Sequence, residues 1–307
     1  MKEKANTKHL NLEDIIMIKG SIVALITPFT DNGEVDYPTL KELIEFHIAN
    51  QTDGILVLGT TGESPTLSHE EQRQIVETTV QTVAGRVHVM VGIGSNDTNK
   101  SIKLGQEFGA MGADSLLAIT PYYNKTNDSG MLKHFTAIAD NVPKPVILYN
   151  VPGRTGCSIS ISVMEELAKH PNIVGIKEAS GNLGYAMEVS RILTDAFVMY
   201  SGNDDQIVPL LSVGAVGVIS VWANIMPLQA HQLVANFKDH PEKSLQLQLE
   251  NLKLINGLFV ETNPIPVKHA MKQMDLIPYG ALRLPLDEIS PSGASKVDGY
   301  LAERGLL

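Results

Sequence analysis

The chain has 307 residues, and its 24 Lys and Arg against 34 Asp and Glu leave a net charge of −10. That balance argues against a general nucleic-acid binder, which needs a basic face to neutralise phosphates. A lone cysteine, Cys157, excludes an intramolecular disulfide framework and a multi-cysteine metal centre, and it fits a reducing cytoplasm.

Residues 1–16 are polar and mixed in charge, without the apolar stretch or cleavage site of a signal peptide, and read as an appended extension. No apolar run approaches the roughly 18–20 residues of a membrane span, so no membrane partner is expected. From there, short apolar runs recur: SIVALITPF (21–29), DGILVLG (53–59), HVMVGIG (88–94) and SLLAIT (115–120). Four more follow: PVILYN (145–150), IVGIKEA (173–179), FVMYSG (197–202) and GVISVWAN (217–224). Near-continuous apolar character suits parallel strands buried on both faces.

The intervening segments read as helices. Leu40, Leu43, Ile44, His47 and Ile48 share one helical face, as do Ile75, Val76, Thr79, Val80 and Val83. Ser68 and Glu71 have the spacing of a capping box, and Ser160 offers a weaker cap further on. Eight strand–helix units predict an α/β fold, a (β/α)8 TIM barrel over residues 17–225. An open doubly wound sheet would alternate in the same way. The count of eight, and the lack of a Gly-rich dinucleotide loop after the first run, favour the barrel. Residues 226–307 read as a C-terminal helical region packed on it, broken at Pro264, Pro266, Pro278, Pro285 and Pro291.

Barrel enzymes carry their chemistry at the C-terminal ends of the strands. Lys177 ends the sixth run behind Ile173, Val174, Gly175 and Ile176. A lysine in an apolar mouth loses solvation as the cation, and the neutral amine can attack a carbonyl to form a Schiff base. Position alone equally allows a structural ion pair with Glu178. Tyr149 ends the neighbouring run, where a phenol can relay protons or simply pack. Thr60 and Thr61 occupy a Gly-flanked turn whose hydroxyls and amides suit a carboxylate, or serve only to turn the chain. Arg154 stands in a Pro-Gly loop, as a carboxylate clamp or a surface charge.

The motifs GTTGES (59–64), PYYN (121–124), YNVPGRTG (149–156), GIKEASGN (175–182), GVISVWAN (217–224) and NPIPVK (263–268) occur in this order. Together they resemble the 4-hydroxy-tetrahydrodipicolinate (dihydrodipicolinate) synthase family, within the pyruvate-dependent class I aldolase and N-acetylneuraminate lyase superfamily. The resemblance runs from about Gly20 to Leu307. It implies a lyase of lysine and diaminopimelate synthesis that condenses pyruvate with L-aspartate 4-semialdehyde through a Schiff base on Lys177.

By the same resemblance, Thr60, Tyr123 and Tyr149 form a proton relay, with Tyr123 reaching into a neighbouring subunit. A dimer, usually paired into a tetramer, is then the expected assembly. Thr61 would hold the pyruvate carboxylate and Arg154 that of the semialdehyde, while Gly202 and Ile219 would line the pyruvate pocket. No metal or organic cofactor is implied. An N-acetylneuraminate lyase or a 2-keto-3-deoxy-sugar-acid aldolase shares the lysine and tyrosine, but Arg154 and GTTGES favour the synthase. A non-catalytic metabolite sensor would be expected to lack the lysine or the tyrosine. Thr126, Asn203 and Trp222 depart from the family pattern, and Trp222 is expected to reshape the region around the eighth strand.

In feedback-inhibited members lysine binds at the dimer interface, at positions matching Ser64, His69, Asn96, Tyr122 and an acidic residue. The acidic position aligns with Lys100, and a second histidine position with Gln72. An ammonium in place of the carboxylate faces the effector's own ammonium, which predicts weak or absent inhibition.

Overall fold

A computed structural model describes residues 18–307; the extension expected over 1–16 lies outside the described residues. Eight parallel strands close into a barrel in sequence order, β1 (Gly20–Ala24), β2 (Gly54–Val57), β3 (His88–Gly92), β4 (Ser115–Ile119), β5 (Val146–Asn150), β6 (Ile173–Glu178), β7 (Val198–Ser201) and β8 (Gly217–Ser220). β1 pairs with both β2 and β8, which removes every free sheet edge. Ile22, Leu56, Met90, Leu117, Ile147, Val174, Val198 and Ile219 fill the interior. A larger apolar layer lies between the strands and the surrounding helices.

Helix α1 (Tyr37–Ala49) buries Leu40, Leu43, Ile44 and His47, while α2 (His69–Val83) buries Ile75, Val76, Thr79 and Val83. The Ser68–Glu71 capping box is formed, and Ser160 caps its helix through the amide of Val163. Arg283 adds a forked pair of bonds to Glu71, and this holds the Glu71 carboxyl down to about 2.

Several strands end sooner than their apolar runs, because side chains from elsewhere take over the backbone bonds. The run over 53–59 stops at Val57, since Leu58 turns into the left-handed region (φ 56°). Past Ala24, the Ile26 amide donates to Asn224 Oδ1 at 3.2 Å. Past Ser220, the amides of Val221 and Trp222 each donate to Asp204 Oδ2 at 2.9 Å. Trp222 is fully buried in the outer apolar layer.

Strand β6 carries an irregularity that its apolar sequence conceals. Val146 pairs with Ile173, but Ile147 pairs with Gly175, so Val174 has no partner. This bulge reverses the alternation of side chains. Val174 faces the interior and Ile176 the outer layer, which turns Lys177 inward. A Cβ on Gly175 would lie 2.6 Å from the Val198 carbonyl oxygen, so only glycine fits.

After β8 come helices α9 (Pro227–Asn236), α10 (Pro241–Gly257), α11 (Ile265–Gln273) and α12 (Pro291–Glu303), numbered after α3–α8, which fall between β3 and β8. Helix α9 packs against β1 and β8 as the eighth barrel helix, so the expected division at residue 225 falls between β8 and its own helix. Pro266 and Pro291, expected as breaks, instead start α11 and α12, where a missing N–H costs nothing.

The C-terminal helices reach back to the loop after β2. Lys268 and Glu63, both fully buried, form an ion pair with Nζ 2.5 Å from Oε1. The Lys268 ammonium also donates to the Ala281 carbonyl and sits 4.0 Å from the centre of the Phe29 ring. Glu63 itself has φ 52°, so the pair secures a left-handed turn just beyond Thr60 and Thr61. Lys268→Met, which leaves that carboxylate buried without its cation, is expected to cost about 3–5 kcal/mol in chemical denaturation. The double variant Glu63→Gln/Lys268→Met is expected to recover most of the loss. A single variant as stable as the parent would contradict this role.

Candidate active site

At the C-terminal mouth of the barrel lies a cavity of about 240 Å³, lined by Thr60, Thr61, Tyr149, Arg154, Lys177, Gly202 and Asn203 among others. The register sets Tyr149 directly beside Lys177, and the lysine Nζ stands 4.4 Å from the centre of the phenol ring.

Lys177 is only 6 % exposed. Burial lowers its pKa to about 8; the Asp204 carboxylate opposes that shift and the Arg154 charge reinforces it. Between 10.5 and 8 the neutral fraction at pH 7 rises from about 1 in 3000 to roughly a tenth. The mouth therefore supplies a usable nucleophile near neutrality. Burial raises the Tyr149 pKa, while Arg154 and the Thr60 hydroxyl work in the other direction. The phenol thus starts as a proton donor.

The rim is organised by a residue that the sequence reading left without a role. Asn263 donates from Nδ2 to Thr61 Oγ1 at 2.9 Å, and its carbonyl accepts from Arg154 Nη2 at 3.0 Å. One buried asparagine thus links the turn after β2 to the guanidinium beyond β5. Among the described residues, the amides of Thr60 and Thr61 have no protein acceptor and remain available to an anion. Gly202 keeps the floor open, since a Cβ there would lie 2.6 Å from Ala179 Cβ and 3.1 Å from Lys177 Cε.

Asp204 also stands at the end of the seventh run, after Gly202 and Asn203, and the sequence alone assigns it no role. Its buried carboxylate shapes the loop after β8, and its charge opposes the lowering of the Lys177 pKa. Glu178, the ion-pair partner considered for Lys177, points away from it into the outer layer. It accepts from Asn150 Nδ2 at 2.8 Å and from the Ser180 amide at 2.6 Å.

Not every expected residue converges here. Ile219 is fully buried in the barrel interior and is not among the residues that line the cavity; Val221, just past the end of β8, lines it instead. Trp222 likewise fills the outer layer. Tyr123 is 92 % exposed with φ 68° and points away from its own chain's cavity, whereas Tyr122 lines it. An aromatic residue held exposed in the left-handed region suggests a functional placement.

Of the five residues considered for regulation, Ser64, Lys100 and Tyr122 line the outer part of the cavity, joined by Gln72. His69 lies outside it, paired with Glu107 at 2.8 Å, and Asn96 accepts at its carbonyl from Asn124 Nδ2. Among the described residues no group of three or more His, Cys, Asp or Glu is placed to hold a metal ion, and no helix is long and apolar enough to cross a membrane.

Relatives match this chain nearly end to end. The 4-hydroxy-tetrahydrodipicolinate synthase of Clostridium tetani is 48 % identical over 293 residues, covering 95 % of this chain and 99 % of the relative. The dihydrodipicolinate synthase of Acinetobacter baumannii, solved in complex with pyruvate, is 40 % identical with a TM-score of 0.92, covering 95 % of this chain and 100 % of the other. The enzyme of Cyanidioschyzon merolae, solved with lysine bound, is 38 % identical with a TM-score of 0.91, covering 94 % and 99 %. The model of the dihydrodipicolinate synthetase family matches residues 17–303, and the chain belongs to that family.

Proposed function

We propose that this chain condenses pyruvate with L-aspartate 4-semialdehyde to 4-hydroxy-tetrahydrodipicolinate, the entry to lysine and diaminopimelate synthesis. The observation that carries the reading is the neutral-leaning Lys177 amine held against Tyr149 beneath a carboxylate-sized rim. Lys177 attacks the keto carbon of pyruvate, and loss of water from the carbinolamine gives an imine. Removal of a methyl proton yields an enamine, whose carbon adds to the aldehyde. The substrate amine then attacks the imine carbon, closes the ring and releases Lys177.

Tyr149 carries protons to and from the carbinolamine and the new hydroxyl, with the Thr60 hydroxyl as its partner. The amides of Thr60 and Thr61 hold the pyruvate carboxylate, and Gly202 leaves room for its methyl group. Arg154, steadied by Asn263, clamps the semialdehyde carboxylate. The exposed, left-handed Tyr123 supports a second copy of the chain completing the relay, and so a dimer or tetramer. On this reading the working unit is a barrel whose strands lie within residues 17–225, completed by α9, with a helical region beyond it that supplies Asn263. We place the reaction in the cytoplasm, in keeping with the single cysteine and small-molecule substrates.

An assay with pyruvate plus aspartate semialdehyde, run beside one with sialic acid, separates this reading from the lyase alternative. Condensation without sialic acid cleavage is expected, and the reverse would overturn the reading. The rate of imine formation is expected to rise with pH and level off above about 8, since the ammonium below that pH cannot attack. A midpoint at the ordinary lysine value would contradict the burial argument. Arg154→Gln removes a neighbouring positive charge and is therefore expected to move that midpoint upward. It is also expected to raise the semialdehyde KM about 10- to 100-fold, matching ~1.5–3 kcal/mol for a charged hydrogen bond. An unchanged KM would exclude the clamp. With Lys100 on the cavity wall, L-lysine is expected to inhibit weakly or not at all. Half-maximal inhibition at sub-millimolar lysine would contradict that expectation.

A further inference from the structure

The two reactive side chains point into the barrel, and the next residue on each strand points out. Tyr149 pairs in register with Lys177, and Asn150 with Glu178. The outward pair is fully buried and forms one side-chain rung across β5 and β6, Asn150 Nδ2 donating to Glu178 Oε2 at 2.8 Å. Every other bond of the rung has a fixed direction. Asn150 Oδ1 accepts from Ser158 Oγ and from the Ile159 amide, each at 3.1 Å. Glu178 Oε1 accepts from the Ser180 amide at 2.6 Å. The Ile159 carbonyl in turn accepts from the Tyr185 hydroxyl at 2.7 Å, which ties the rung to helix α7 (Leu183–Ser190).

Four residues below the rung, the bulge at Val174 has already reversed the alternation of β6. The bulge shows that β6 accommodates a one-residue offset against β5, and a further slip of one would turn Lys177 outward. The backbone below is uniformly apolar and gives no polar signal to prevent that slip. The rung supplies one, because a slip would leave a buried carboxylate and a buried amide without partners.

We propose that Glu178 and Asn150 are positioning residues that lock the register of β5 against β6 and so hold Lys177 over Tyr149. Neither touches substrate; they act through the two residues that do. The inference rests on the imine reading of Lys177.

The directions of the bonds supply the test. Glu178→Gln places an amide against a donor, whichever way it turns. Asn150→Asp sets two carboxylates against each other. The exchange Asn150→Asp/Glu178→Gln restores every bond with its direction between the strands inverted and the net charge unchanged. Condensation kinetics and thermal melting are measured on all three variants beside the parent. Glu178→Gln is expected to lower kcat about tenfold or more with the pyruvate KM within threefold, since a misplacement of about 1 Å costs up to 100-fold. The exchange variant is expected to return kcat to within about threefold of the parent. A kcat within threefold in Glu178→Gln would overturn the proposal, as would a loss carried by KM alone. An exchange variant that melts like the parent yet stays tenfold slow, or that fails to fold, would also overturn it. Parent turnover tests the imine reading by itself, whereas the ratios between variants and parent test the rung.

Discussion

A charged amine is poorly solvated inside a barrel mouth, and the arrangement of this site depends on that cost. Desolvation alone would drive the Lys177 proton off and also weaken the local fold. The protein moderates it with one buried carboxylate and reinforces it with one rim cation. Asp204, in the loop after β7, carries the opposing charge, and its bonds to Val221 and Trp222 fix it there. Arg154 acts in the opposite sense and keeps the amine inclined to be neutral. The same guanidinium lowers the cost of ionising Tyr149, so one charge tunes the nucleophile and the acid together.

The barrel cannot hold these groups unaided. The turn that carries Thr60 and Thr61 is followed by a left-handed Glu63, and residues beyond 260, on α11 and in the loops either side of it, hold it down. Lys268 neutralises Glu63, Arg283 bridges to Glu71, and Asn263 reaches the Thr61 hydroxyl. The loop nearest the proposed carboxylate site is therefore pinned by residues some 200 positions away, and the C-terminal region contributes Asn263 to the rim. An overall charge of −10 is a poor setting for anionic substrates. On the proposed reading, a tethered arginine and two backbone amides without a protein acceptor among the described residues are the local remedy.

Much of this was legible in the chain. Strand count, strand starts, helix faces and the Ser68–Glu71 cap follow from short-range periodicity, and short-range rules govern them. Lys177, Tyr149, Thr60, Thr61 and Arg154 all stand at strand ends, so identifying the strands located them. The remainder depends on contacts distant in sequence. Strands ended early where Asn224 and Asp204 captured amides that a propensity reading assigns to the sheet. The bulge in β6 was invisible because Ile173, Val174, Gly175 and Ile176 are all apolar, and alternation cannot be read from a uniform run. Ile219 was expected on the pocket wall and lies in the packed interior, since a resemblance does not say how far up the strand the cavity begins.

The most direct measurement is to incubate the protein with pyruvate, reduce with borohydride and map the modified peptide by mass spectrometry. One reduced pyruvate unit on Lys177, at near-neutral pH and absent from Lys268, is the predicted result. Lys268 is also a buried lysine with its pKa lowered to about 8, but it is closed off by Glu63 and Phe29. No adduct, or an adduct spread over surface lysines, would contradict the assignment of Lys177 as the nucleophile.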